Sequence, residues 1–170
     1  QALISIDLAK ELPGDPIVGE EDTALLRSDD GARTRSQVMD HVRVPMAGIT
    51  EAEVLAAIDR CNHEGGPIGR HWALDPIDGT KGFLRGDQYA VALGLIVDGV
   101  VRVGVLGCPN MPVDPDDEGK GQGALFVAVE GQGTRQIPLS EISDKVPKGR
   151  KVRVASIKDP ANAAFCESVE

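Results

Sequence analysis

Cysteine, histidine and basic residues are too few or too scattered in this chain to carry chemistry by themselves. The three cysteines, Cys61, Cys108 and Cys166, are odd in number and widely spaced, and no Cys-x-x-Cys occurs. A zinc site or a disulfide framework is therefore not expected, and the thiols read as free and buried in a reducing compartment. His41, His63 and His71 form no i,i+4 metal pair. His71, which precedes the apolar run at Trp72, reads as structural. Lys and Arg number 18 against 27 Asp and Glu, for a formal net charge of −9. Binding to a nucleic acid polymer needs a basic face, so that balance argues against it. It leaves room for a small anionic substrate, because a bound divalent cation inverts the local field.

Other familiar devices are also missing. No run of 18 apolar residues exists, so no membrane span is expected. No signal peptide is visible, and cytoplasm is the expected location unless a lost N-terminus carried a targeting segment. The Gly-rich stretch Gly119–Gly123 lacks the Lys and Ser/Thr of a phosphate-binding loop. Val113–Gly119 is rich in acids, but Leu125 stands where a calcium loop needs its bidentate Glu, so a solvated acidic loop is expected. Lys145–Lys151 is a small basic stretch that reads as surface, and no internal repeat is evident.

What is present is enough for one domain with a real core or two small ones: 170 residues, 41% of them hydrophobic. Apolar residues from Ala2 to Leu12 read as a helix that stops at Pro13-Gly14. Ile17-Val18 reads as a short buried strand that runs into Glu20-Glu21. Leu25-Leu26 and Val38-Met39 read as helical fragments in an otherwise polar stretch. Thr50 with Glu53 forms a capping-box pattern before Val54, Leu55, Ile58 and Cys61 at helical spacing, and Gly65-Gly66-Pro67 ends that segment. Strand signals then take over. Trp72–Leu74 leads into a turn, Tyr89–Val97 is nearly continuously apolar, and Asp98-Gly99 is a type I′ hairpin signal before Val100–Leu106. Leu125–Val129, Arg135–Leu139 and Val152–Ala155 read as further strands, with a helix beginning at Pro160. Helices followed by an antiparallel meander give an α+β fold, with helices packed on an antiparallel-rich sheet.

The most informative stretch is Asp75-Pro76-Ile77-Asp78-Gly79-Thr80. Two carboxylates three residues apart close an apolar run, with the Ile77 carbonyl between them. Hard oxygen donors in such a group suit Mg²⁺, which binds through one or two carboxylates and keeps waters. Gly79 lets backbone approach a phosphate closely, and Thr80 offers a hydroxyl to orient a water. Asp, Pro and Gly are also ordinary turn residues, so the spacing alone leaves a plain turn open. A second apolar run ending in carboxylates, Ile17–Asp22, favours the ligand reading, because α/β proteins place ligands at such sheet edges.

Gly19-Glu20-Glu21 followed by Trp72–Thr80 resembles the lithium-sensitive, Mg²⁺-dependent phosphatase superfamily. That group contains inositol monophosphatases, fructose-1,6-bisphosphatases and 3′(2′),5′-bisphosphate nucleotidases. Lys81–Gly86, Gln88–Val91, Gly107-Cys108-Pro109-Asn110 and Phe165–Glu170 look like the bisphosphate nucleotidases of fungi and plants. The resemblance runs from about Leu3 to Glu170. It implies a layered α/β sandwich of the sugar-phosphatase type. Residues 1–155 would be a metal-binding subdomain, incomplete at its start, and 156–170 the beginning of a truncated second subdomain.

The resemblance also implies roles. Glu20, Asp75 and the Ile77 carbonyl would hold one Mg²⁺, and Asp75 and Asp78 a second. Thr80 would be the catalytic group that orients the water, with Gly79 and Thr80 contacting substrate and Lys81 either a further substrate contact or only a charge in the cleft. The implied substrate is 3′-phosphoadenosine 5′-phosphate, converted to AMP in sulfur metabolism by a monomer with no membrane or nucleic acid partner. A sugar or inositol phosphatase of the same superfamily is the alternative. An acid before Gly-Glu-Glu and a later Asp in a Trp-Asp-His-type motif belong to the family pattern and are not found within these residues. A fragment is therefore expected, and a chain that folds without catalysing stays open as a third reading.

Overall fold

The computed structural model describes residues 1–143 and 147–164. Its centre is one seven-stranded sheet in the order β1-β2-β3-β4-β5-β6-β7. The strands are β1 Ile17–Gly19, β2 Arg70–Asp78, β3 Ala90–Val97, β4 Val100–Pro112, β5 Gln122–Val129, β6 Gly133–Pro138 and β7 Arg150–Val152. β1 pairs parallel to β2, and every later pair is antiparallel. The meander expected from sequence is thus present, with one parallel strand added at its edge.

The helices are α1 Ala2–Glu11, α2 Ala24–Arg27, α3 Ala32–Arg43, α4 Glu51–Asp59 and α5 Thr80–Arg85. α4 starts where the sequence predicts. Thr50 accepts a hydrogen bond from the Glu53 backbone, and Glu53 reaches back to the Thr50 N–H. α1 carries two apolar faces. Ala2 and Leu3 pack with Leu26, Met39, Val42, Val54, Leu55 and Ile58 in a helical core. Ile4, Leu8 and Leu12 pack instead on Ile17, Cys61, Trp72 and Leu74, joining the helices to the sheet. Leu93 and Leu95 lie on this same face of β3.

Side chains alternate across a strand, so Ala73, Ala92, Gly94 and Ile96 face the other way. With Gly104, Leu106 and Val101 they floor a shallow apolar depression of about 600 Å³. No helix of the described residues is long and apolar enough to cross a membrane.

Asp98 at φ 51° and Gly99 at φ 75° form the expected left-handed hairpin turn, and Val97 pairs with Val100 across it. Four segments differ from the sequence reading, the first being the expected turn after Leu74, where β2 continues to Asp78 and α5 follows. β4 runs on to Pro112 instead of ending at Leu106, because its register slips between Cys108 and Pro112 and so tolerates Pro109. The last strand is Arg150–Val152, not Val152–Ala155, since its pairing partners on β6 are Gln136, Arg135 and Thr134. Pro160–Asn162 is a single 3₁₀ turn. The rest of the expected terminal helix, with Cys166, and Lys145 of the basic stretch lie outside the described residues. Cys61 and Cys108 are buried free thiols, and burial pushes both above the ordinary thiol range.

Ile17 is fully buried between α1 and β2. Truncating it should leave a cavity, so Ile17→Ala is expected to cost about 2–5 kcal/mol of stability, read from urea unfolding.

Candidate active site

The parallel pairing of β1 with β2 sets Gly19 opposite Leu74. The residues that follow, Glu20 just past the end of β1 and Asp75 near the end of β2, therefore lie side by side. Alternation places both on the face away from the helices, and both line the rim of the apolar depression. Open sheets bind ligands at such strand ends.

Glu20 is exposed, yet its carboxyl is held above the ordinary Glu range. The Asp75 charge is the largest cause, followed by desolvation and a hydrogen bond with Asp75. Glu21 and Asp78 add smaller repulsions. Asp75 is half-buried, and its Oδ1 accepts the Ile77 N–H at 3.0 Å. That bond closes a local turn, and the β2–β3 register is irregular between Asp75 and Asp78. Asp78 is exposed beyond this irregularity. Glu20, Asp75 and Asp78 thus share one end of the sheet. Among the described residues, no three His, Cys, Asp or Glu side chains are gathered as a ready-made cation cage.

Gly79 adopts φ 86° and turns the chain into α5, whose first residue is Thr80. Only glycine takes that conformation without strain. The Thr80 hydroxyl donates to the Ile77 carbonyl at 3.3 Å, which leaves its oxygen lone pairs available to accept. Lys81 is exposed on the same turn. α5 ends at Gly86, also left-handed at φ 75°.

The segments Lys81–Gly86, Gln88–Val91 and Gly107–Asn110 meet at this corner, and Phe165–Glu170 lies outside the described residues. A Cβ on Gly82 would lie 2.2 Å from the Gln88 carbonyl oxygen, so only glycine lets the 87–88 loop close over α5. The Asp87 N–H donates to the Gly82 carbonyl at 2.8 Å. Asn110 donates to the Asp87 carbonyl at 2.6 Å and so ties β4 to that loop. Phe83 meets Tyr89 edge to face at 5.0 Å. Spacing along the chain gives no hint of the Asn110 contact, because its partner is 23 residues away. Gln1 is a further contributor the sequence reading missed. Its carboxamide bonds to both the N–H and the C=O of Glu21.

A family model described as the inositol monophosphatase family matches residues 1–170. The chain is 44% identical to the Arabidopsis thaliana protein named 3′(2′),5′-bisphosphate nucleotidase 1, over 100% of the chain and 52% of the relative. It is 40% identical to the 3′(2′),5′-bisphosphate nucleotidase of Emericella nidulans, over 100% of the chain and 54% of that protein. The chain thus spans about half the length of the curated relatives it matches. Among solved structures, Mycobacterium tuberculosis SuhB aligns with a TM-score of 0.40 and 24% identity, over 79% of this chain and 32% of that one.

Two outcomes are expected from this geometry. Gly82→Ala forces the 87–88 loop outward and should cost about 1–3 kcal/mol, read from chemical unfolding. Glu20→Gln should act oppositely. A raised carboxyl value in the folded state means its stabilising share is present at acid pH and is lost as pH rises through that value. At neutral pH without divalent cations, removing the charge should therefore raise the melting temperature slightly, and by less as salt is added. A lower melting temperature for the variant would contradict the repulsion.

Proposed function

The chain belongs to the inositol monophosphatase family, and from that premise we propose that it carries the metal-binding half of a phosphomonoesterase site. The observation that carries this reading is Glu20 beside Asp75, two carboxylates whose mutual repulsion is met by no cationic partner in the hydrogen bonds and ion pairs described. The donor set is all oxygen and suits Mg²⁺ rather than a softer ion. Glu20, Asp75, Asp78 and the Ile77 carbonyl would hold the cation or cations. When bound, Mg²⁺ neutralises phosphate charge and makes a coordinated water more acidic.

The chain's own residues do the positioning. Thr80, its hydroxyl hydrogen directed to the Ile77 carbonyl, presents lone pairs that can orient the attacking water. Gly79 keeps the turn free of a side chain where phosphate would approach, and Lys81 brings a positive charge to the same turn. The names of the relatives favour a nucleoside bisphosphate as substrate. The reaction proposed is 3′-phosphoadenosine 5′-phosphate plus water giving AMP and inorganic phosphate. Water attacks the 3′-phosphorus, the bond from phosphorus to the 3′-oxygen breaks, and that oxygen takes up a proton. We place this activity in a monomer in the cytoplasm, acting in sulfur metabolism.

The test is phosphate release from 3′-phosphoadenosine 5′-phosphate with Mg²⁺, beside Asp78→Asn and with inositol 1-phosphate as a second substrate. Release that the variant lowers by about 10²-fold or more, or removes with chelator, is the expected result for a lost ligand. Faster release from the inositol ester would overturn the substrate assignment. Release unchanged in Asp78→Asn would overturn the site.

A further inference from the structure

Glu20 is exposed at the rim of the apolar depression, between Gly19 and Glu21, and the backbone is tied on either side of it. On one side, the Gly19 N–H donates to the Cys61 carbonyl at 2.8 Å. On the other, the carboxamide of Gln1 takes both main-chain groups of Glu21. Nε2 donates to the Glu21 carbonyl at 2.7 Å, and Oε1 accepts the Glu21 N–H at 3.0 Å. Nε2 also donates to the Ile58 carbonyl at 3.2 Å. One side chain thus ties α1, the end of β1 and the end of α4 together.

Gly19 makes room for this. A Cβ there would lie 2.8 Å from Gln1 Oε1 and 2.6 Å from the Cys61 Cβ. Its φ does not require glycine; the crowding does. The glycine of Gly19-Glu20-Glu21 is therefore the counterpart of the Gln1 carboxamide.

We propose that Gln1 is a positioning residue for the site, its carboxamide clamping the Glu21 backbone so that Glu20 stays beside Asp75 at the rim of the depression. This rests on the cation-binding reading of Glu20 and Asp75 given above. The carboxamide does what a ligand-orienting hydrogen bond does elsewhere, acting on the backbone that carries the ligand rather than on its side chain.

The test compares Gln1→Met, which keeps length and loses all three hydrogen bonds, with Leu8→Ala. Leu8 packs on the helix–sheet core and makes none of the three Gln1 hydrogen bonds. Mn²⁺ alone is titrated by electron paramagnetic resonance, and hydrogen exchange of the Glu21 amide is followed without metal. In Gln1→Met we expect Mn²⁺ affinity to fall about tenfold or more and the Glu21 amide to exchange faster, whereas Leu8→Ala stays within about twofold for Mn²⁺ despite a lower melting temperature. Unchanged Mn²⁺ affinity in Gln1→Met overturns the proposal. So does an equal loss in Leu8→Ala, which would reduce the clamp to general stability. Failure of the unsubstituted protein to bind Mn²⁺ removes the cation reading itself and this proposal with it, a result distinct from the other two.

Discussion

The pairing of β1 with β2 is the constraint on which the site depends. β1 is three residues long, so its own ladder holds it weakly. Its place is set by the complete burial of Ile17 and by the contact of Gly19 with Cys61 and Gln1. Because the pair is parallel, both strands end in the same direction and deliver Glu20 and Asp75 to one edge. An antiparallel pair would have sent the two carboxylates to opposite ends of the sheet.

The second half of the site is built by backbone geometry rather than by packing. Two left-handed glycines bracket α5, and Gly82 admits a neighbouring carbonyl where any side chain would collide. Asn110 then fastens the loop from the β4 side. Six residues of helix with no buried side chain would be marginal alone, and these contacts supply what burial does not.

Much of this was legible in the chain because its causes are local. Thr50 and Glu53 sit within one turn of each other, and Asp98-Gly99 decides its own dihedral angles. The strand leading to Glu20 was readable for the same reason, whereas the turn expected from Asp75 is the irregular end of β2, with Gly79 alone between it and α5. α3 was harder, since Ala32–Arg43 is mostly polar and buries only Met39 and Val42. α5 was missed because Gly82 inside Thr80–Arg85 looks like a breaker until its neighbour at Gln88 is known. The end of β4 was hidden by Gly107 and Pro109, which a slipped register accommodates. Gln1 left no signal at all, because its partner Glu21 lies 20 residues on.

The alternation of side chains along β1 has a consequence for how this protein can vary. Ile17 points inward, Val18 outward, Gly19 inward and Glu20 outward. An insertion or deletion at Pro13-Gly14, between the packed Leu12 and the Asp15 that binds Arg70 and Trp72, leaves the faces of β1 unchanged. The same one-residue change within β1 inverts the whole sequence of faces, driving a carboxylate against the Cys61 thiol and an isoleucine into water. Natural length variation should therefore be tolerated at Pro13-Gly14 and excluded from β1, so that permitted and forbidden indels are separated by only a few residues of chain.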